Sequence, residues 1–385
     1  FYENCEVHDI EYTKEIYKES FHSELDKDYE IIDVIASGSI GQVYKLKQAD
    51  KFYAMKVIHP NITHQIQFIR RFLRLIFYFS KTRKIVTNLL PFNLLQFVDN
   101  FEKQCNLIYE SNNLLQFYHT YKDNEFIVIP TLYKISQKIL LMSYEEGIQY
   151  SQADINEYQK YKIINLFHLF ARNNTTINFN HGDLHNGNWK IRPYKNNYQL
   201  IIYDFGFCWS VLPEHYYVID ISTECFETPP EDGIDIDDFC KMMNYCIGNL
   251  DERINHRIVY EYLEKELKQV NTGILSPVQL YQITAKFCIL HSILIDPIMI
   301  QFIIITIQLS LNLIDFNLQG SSKNPISNTI VYKERYLDVL SFCKTYNIFP
   351  EYRKNIEKKM KQHTLLDNIF ETISMPDSIK EMALQ

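Results

Sequence analysis

The stretch His181-Gly182-Asp183-Leu184-His185-Asn186-Gly187-Asn188, followed sixteen residues later by Asp204-Phe205-Gly206, decides how this chain is read. An Asp and an Asn five residues apart on one loop, then a second Asp in D-F-G beyond a short hairpin, is the order and spacing of a phosphoryl-transfer centre. The residue types follow from the chemistry. A phosphoryl group in transfer needs its charge neutralised by Mg²⁺, a hard cation that takes oxygens from one or two carboxylates and keeps room for phosphate and water. Asn188 and Asp204 are the expected metal ligands. A separate carboxylate has to orient or deprotonate the attacking hydroxyl while facing away from the metal, and Asp183 is the expected catalytic base. A lone D-F-G at a strand end is often a plain turn, so the joint order and spacing carry the reading.

The hairpin between the two parts is legible as Trp189 to Arg192 and Gln199 to Tyr203, joined by the polar turn Pro193-Tyr194-Lys195-Asn196-Asn197. Upstream, Tyr29 to Ile35, Ala36 to Tyr44 and Phe52 to Ile58 read as strand, tight loop, strand, turn, strand. Glycines in such a loop let backbone N–H groups approach phosphate oxygens with no Cβ in the way. Ala36, Ser37, Gly38, Ser39, Ile40, Gly41 and Val43 are therefore the expected nucleotide-binding positions. A Gly-containing hairpin is common. Lys56 decides the matter, because Ala54-Met55-Lys56-Val57 matches a strand whose Lys reaches the α and β phosphates. That Lys needs a carboxylate to hold it. Glu110 is the best candidate, with Glu102 as the alternative.

Lys56 and Glu110 are further apart than one connecting helix requires, so residues 61–100 read as a helical insertion. Its first part, Ile66 to Phe79, mixes Arg70, Arg71 and Arg74 with Phe68, Ile69, Phe72, Leu73, Leu75, Ile76, Phe77 and Phe79. A core helix with a solvated arginine stripe is the preferred reading, and a basic amphipathic helix touching a membrane or partner is the other. Phe126 to Pro130 and Lys138 to Tyr144 read as two more strands, with Met142 and Tyr144 expected against the nucleotide where the chain passes between lobes. Ile155 to Arg172 has helical periodicity, Phe207 to Ile234 reads as irregular, and helices are expected over 235–250, 252–270, 277–294 and 298–313, with a tail from about 326. Pro297 to Ile314 is the one transmembrane candidate, and its Gln301, Gln308, Ser310 and Asn312 favour a buried helix.

A chain of 385 residues has room for two lobes. The expected units are an extension (1–28) carrying one amphipathic helix, an N-lobe (29–145), a C-lobe (146–320) and a helical tail (321–385). A formal net charge of -8 and a pI near 5.9 leave no electrostatic footprint for nucleic acid. Eight cysteines without a C-x-x-C pair suggest neither a zinc site nor a disulfide framework, so an intracellular reducing compartment is expected. No signal peptide opens the sequence, and a start at Phe1 is what a fragment of a longer product would show.

With these residues assembled, the chain resembles the UbiB/AarF (aarF-domain-containing) family of atypical kinases from about Tyr29 to about Gly320. Ala36 to Val43 is similar to the family's A-x-A-S-I-G-Q-V loop, Met55 to Pro60 to V-K-V-x-H-P, Gln104 to Leu114 to Q-L-D-x-x-x-E-A-x-N-L, and His181 to Asn188 to H-x-D-x-H-x-G-N. Departures are Asn106 for Asp, Ser111 for Ala, Ser143 for Glu, and Gly38 within an alanine-rich loop. The family's K-x-G-Q pattern is not among these residues. The resemblance implies an α+β, two-lobed protein-kinase-like fold, a β-rich N-lobe with a helical insertion, and a larger helical C-lobe. It implies a phosphotransferase or ATPase using Mg²⁺ and ATP (or ADP), linked to isoprenoid quinone lipid metabolism, with a lipid or membrane surface as partner. The alternatives are a small-molecule hydroxyl kinase of the aminoglycoside or choline type and a nucleotide-binding pseudokinase-like module. Gly182 stands where phosphorylation-switched kinases carry the Arg of H-R-D, so assembly of the site is expected to be constitutive or driven by lipid or partner contact with the insertion.

Overall fold

The computed structural model describes residues 7–210 (except 90, 92 and 196), 255–268, 277–295 and the single positions 240, 243, 300, 354 and 357. Its centre is a five-stranded antiparallel sheet in the order β1-β2-β3-β6-β5, built from β1 (Glu30–Ser37), β2 (Gly41–Gln48), β3 (Lys51–Ile58), β5 (Leu132–Ile135) and β6 (Ile139–Ser143). Side chains alternate across a strand. Tyr53, Met55 and Val57 of β3, with Ile139 and Leu141 of β6, face helix α1 (Ile10–Phe21) and bury Ile16 and Tyr17. Ala54 and Ile58, with Leu140 and Met142, face the other way onto Leu107, Leu114 and Phe117 of helix α6 (Leu107–Tyr121). Lys56 shares that second parity. The strand pattern therefore delivers its charge to α6, and β6, covered on both faces, reads as a continuous apolar run.

Helix α6 begins at Asn106, whose side chain accepts from the N–H of Ile108 at 3.1 Å. Asn and Asp cap equally well, so this departure from the family pattern leaves the start of α6 unchanged. Between β3 and α6 run α3 (Ile62–Tyr78), α4 (Ser80–Leu89) and α5 (Leu94–Gln104). The extension holds α1 and a short α2 (Leu25–Asp28), where one helix was expected.

Below the sheet, α7 (Glu157–Thr176) starts from a capping box between Asn156 and Gln159 and buries Phe167 and Phe170. These pack with Trp189 and Ile191 of β8 (Trp189–Tyr194) and Leu200 and Ile202 of β9 (Asn197–Ile202). Strands β8 and β9 form the expected hairpin, longer than foreseen: Tyr194 pairs with Asn197, leaving a two-residue turn in which Lys195 has φ 52°. Two short strands, β7 (Asn180–His181) and β10 (Cys208–Trp209), pair across the motif loop. Helices α8 (His256–Leu267) and α9 (Pro277–His291) follow within the ranges expected for them.

Three expectations need correction. Only Ile127–Val128 (β4) of the stretch before Pro130 is a strand, and it pairs in parallel with β9, outside the five-stranded sheet. The edge strand β5 was not foreseen, because Leu132-Tyr133-Lys134-Ile135 is half-exposed and gives no alternation strong enough to read. Helix α3 is no core helix: Ile66 alone is buried, and it packs with Ile62 and Leu73 against Val98 and Phe101 of α5. The tail, most of the segment after Trp209, the helices of 235–250 and 298–313, and the transmembrane candidate lie outside the described residues. Among the described residues no helix is long and apolar enough to cross a membrane.

Candidate active site

Lys56 and Glu110 meet between sheet and helix. The ammonium donates to Oε1 of Glu110 at 3.0 Å and to Oε2 at 2.8 Å, and it lies 3.2 Å from Oδ1 of Asp204. Glu110 is 1% exposed. Burial alone would lower the Lys56 pKa, but Asp204 and Glu110 together hold it above the ordinary lysine value. Burial pushes Glu110 up to about 7 against the pull of Lys56. Asp204 is held below the usual carboxylate range. Burial opposes that, while Lys56 and the Gly206 N–H, which donates to Oδ1 at 3.1 Å, produce it. Glu102, the alternative partner, pairs instead with Arg70 in the insertion.

The motif loop is fixed from its backbone. His181 is fully buried, its Nε2 meets the carbonyl of Tyr203 at 3.1 Å, and its Nδ1 accepts from the N–H of Asp183 at 3.2 Å. Burial lowers its pKa, which suits a neutral ring bridging those two backbone groups. The Tyr203 N–H donates to the Asn188 carbonyl at 2.8 Å, so Asp204 follows directly on the bond that ties β9 to the loop. Asp204 itself has φ 52°, a left-handed conformation that Asp tolerates better than most residues. Asn113 donates to the Phe205 carbonyl at 2.8 Å, holding D-F-G to the helix that carries Glu110.

Asp183 sits at the half-exposed mouth of the loop, with Oδ2 3.7 Å from Nε2 of His185 and 3.5 Å from Nδ2 of Asn188. Asn188 is buried and uses its amide N–H₂ on the Asp183 backbone carbonyl at 2.9 Å, which leaves its side-chain oxygen out of that bond. That oxygen and the Asp204 carboxylate are hard donors suited to Mg²⁺. Among the described residues no group of three or more His, Cys, Asp and Glu could hold a metal alone, so a cation here needs oxygens from a ligand as well. The donor set fits a metal that arrives with phosphate.

Gly182 has no room for a side chain: a Cβ there would lie 2.5 Å from the Phe207 ring and 2.9 Å from its carbonyl. The phosphate-pairing Arg of H-R-D is therefore excluded by packing at this position.

The glycine-rich loop closes with the Gly38 N–H donating to the Gly41 carbonyl at 3.0 Å. Ala36 and Ser37 pair with Val43 and Gln42 at the β1–β2 end. Gly41 lies against β3, where a Cβ would fall 2.5 Å from the Val57 carbonyl oxygen. Ile40 packs on both the α6 core and the insertion, joining the two. Met142 pairs across from Ala54 and is buried in the α6-facing core, and Tyr144 lies beneath Lys45, whose Nζ is 4.2 Å from the ring centroid. Ser143 donates to Oε1 of Glu145, and Glu145 in turn binds Arg192 of β8 at 3.1 Å. His8, His59 and Asn113, which sequence reasoning did not single out, hold the loop and D-F-G in place; His59, inside the H-P motif, and Asn113, inside the E-A-x-N-L pattern, left a signal, and His8 left none.

A model of the ABC1 atypical kinase-like domain matches residues 2–222, more than half of the chain and all of these positions. The chain belongs to this ABC1, or UbiB/AarF, family of atypical kinases. An ABC1 family protein of Schizosaccharomyces pombe, named as mitochondrial, is 31% identical over 156 residues, which are 37% of this chain and 21% of that one. The chain thus spans about a fifth (21%) of the length of that curated relative. Among solved structures it is similar to the Mycobacterium tuberculosis Rv3197–erythromycin complex, 17% identical with a TM-score of 0.45, covering 56% of this chain and 57% of that one. The Chaetomium thermophilum Rio2 kinase complex with ADP/Mg²⁺ and phosphoaspartate is 14% identical, with a TM-score of 0.33, covering 56% of each. The ABC1 chain has the two-lobed α+β kinase-like fold that its motifs implied.

Proposed function

We propose that this ABC1 chain is an atypical kinase or ATPase that binds Mg²⁺-nucleotide between its lobes. The observation that carries the reading is the buried Lys56–Glu110 pair, with Asp204 as the third group on the same ammonium and Asn188 one backbone bond away from Tyr203. Lys56 takes the phosphates, Glu110 holds Lys56, Asn188 and Asp204 take the metal, and Asp183 orients the acceptor hydroxyl as base. Ala36 to Val43 covers the phosphates, and Met142 and Tyr144 line the base side. The bound metal supplies charge neutralisation on the transferred group. Thermal shift with Mg²⁺-ATP and Mg²⁺-ADP tests the reading: wild type should be stabilised and Asp204→Asn much less so. An equal shift in both removes Asp204 from the metal.

The acceptor class is drawn from the family's tie to isoprenoid quinone lipids, and one surface supports a lipid partner. Phe68, Phe72 and Leu75 recur every three or four residues on α3, on the side away from Ile62, Ile66 and Leu73, with Phe79 just past the helix end, and Phe68 is 70% exposed. Arg71, Arg74, Lys81, Arg83 and Lys84 accompany this stripe, and no acidic residue occurs between Ile62 and Phe92. An apolar stripe with cationic flanks suits an anionic lipid surface. Hydrolysis measured with and without anionic vesicles, protein acceptors and small amino-alcohols separates this reading from the hydroxyl-kinase alternative. Stimulation by amino-alcohols alone would favour that alternative.

A further inference from the structure

A line of hydrogen bonds runs from the N-terminal helix to the glycine-rich loop. His59, the residue after β3, places Nε2 2.9 Å from the Gly38 carbonyl, and its backbone N–H donates to the Ile40 carbonyl at 2.9 Å. Its Nδ1 is 2.8 Å from Nδ1 of His8. Nε2 of His8 is 2.9 Å from Thr13 Oγ1 on α1, and Thr13 Oγ1 is 2.7 Å from the hydroxyl of Tyr44 on β2. The backbone N–H of His8 donates to Oε1 of the buried Gln42 at 3.0 Å, beside the loop.

With both rings neutral, the direction of every bond is fixed. A carbonyl only accepts, so Nε2 of His59 carries the proton. Its Nδ1 is then bare and accepts from Nδ1–H of His8. The bare Nε2 of His8 accepts from the Thr13 hydroxyl, whose oxygen takes the Tyr44 proton. Burial and the neighbouring His59 lower the His8 pKa to about 4, in keeping with a neutral ring. The effect on the loop follows from peptide planarity: the Gly38 carbonyl and the Ser39 N–H lie on opposite sides of one trans plane, so anchoring the carbonyl aims the N–H. A loop carbonyl left to turn toward phosphate would instead present like charge to it.

We propose that His59 and His8 are positioning residues for the nucleotide loop, and that through them α1 sets the loop's affinity for phosphate. The inference rests on the nucleotide reading above, and its test is built so that the two fail separately. Amide hydrogen exchange of a peptide covering Ser37 to Gln42, in protein without nucleotide, reads the coupling alone. Exchange should speed up in His8→Ala and His59→Ala. It should return to the wild-type rate in His8→Asn, whose amide N–H₂ stands at the Nδ1 position, and stay fast in His8→Gln, which reaches only the Nε2 position. Under steady-state turnover the two alanine variants should raise KM for Mg²⁺-ATP by about 5- to 10-fold, the loss of one hydrogen bond, with kcat within about 2-fold. Wild type that binds no Mg²⁺-ATP defeats the nucleotide reading and leaves the exchange result to decide the coupling. Unchanged exchange in both alanine variants overturns the coupling with the nucleotide reading intact. Parallel losses in KM and kcat that His8→Asn does not rescue also overturn it, because they mark a merely structural contact.

Discussion

Removing Glu110 perturbs the site where burial is deepest. Its carboxylate takes two ammonium protons of Lys56, at 3.0 and 2.8 Å, and is 1% exposed. Taking one partner from such a pair costs about 3–5 kcal/mol, because the other charge is left in a poor dielectric. Here Asp204 remains 3.2 Å from Lys56, and its side chain is 44% exposed, so the stranded ammonium keeps one solvent-screened partner. The lower end, about 3 kcal/mol, is expected for Glu110→Ala, or a fall in Tm of about 6–12 °C at the usual scaling for a domain of 150–250 residues. Lys56→Met should be milder. Glu110, already pushed up to about 7 by burial, takes a proton once the ammonium is gone, and no bare charge remains. The double variant Lys56→Met/Glu110→Ala should cost less than the summed single losses by about 1–3 kcal/mol, as contacting groups do. Urea unfolding followed by the fluorescence of the buried Trp189 and Trp209 measures all three. Additive losses, or Lys56→Met more damaging than Glu110→Ala near neutral pH, would refute the reasoning. The sign with pH is also set. The folded carboxyl keeps its proton up to about 7 and the unfolded one loses it near 4.5, so its contribution is full below 4.5 and fades as pH rises to 7.

Two further outcomes are expected. Asp183→Asn should leave the affinity for Mg²⁺-ATP near wild type and cut turnover by about 10²- to 10⁴-fold, read by pairing a binding titration with single-turnover kinetics; equal losses in both would mean the roles are misassigned. Gly182→Arg should lower stability by about 1–3 kcal/mol, since its Cβ is driven into Phe207, and should confer no dependence on phosphorylation; a Tm equal to wild type's would contradict the packing.

The polar centre was legible because chemistry dictates residue type there: an ammonium, three carboxylates and an amide in fixed order leave few readings. Lys56 was placed by the match of Ala54-Met55-Lys56-Val57 to a phosphate-reaching strand, and its parity on β3 turns it toward α6. Between the two candidate partners the sequence preferred Glu110 and left Glu102 open, since either could lie on a helix facing β3; the structure pairs Glu110 with Lys56 and gives Glu102 to Arg70. The outward face of α3 misled for a similar reason. Its apolar residues fall on two sides of one helix, and periodicity cannot say which side meets the fold. The His8–His59 contact joins positions 51 residues apart and follows no pattern at all. Asn106, a departure from relatives, proved harmless because a helix cap asks only for a short side-chain oxygen.

A lysine ammonium has three hydrogens. In this structure each has a taker: the two oxygens of Glu110 and Oδ1 of Asp204. A newcomer to Lys56 therefore arrives by exchange, and Asp204, the longest and most exposed of the three contacts, is the one to be displaced. A phosphate ligand that comes without a cation would leave that carboxylate with no counter-charge; one that brings its cation gives it a new one. The ammonium by itself would attract either ligand. On the proposed nucleotide reading, the bond it already makes to Asp204 would favour the pair of ions over the anion alone.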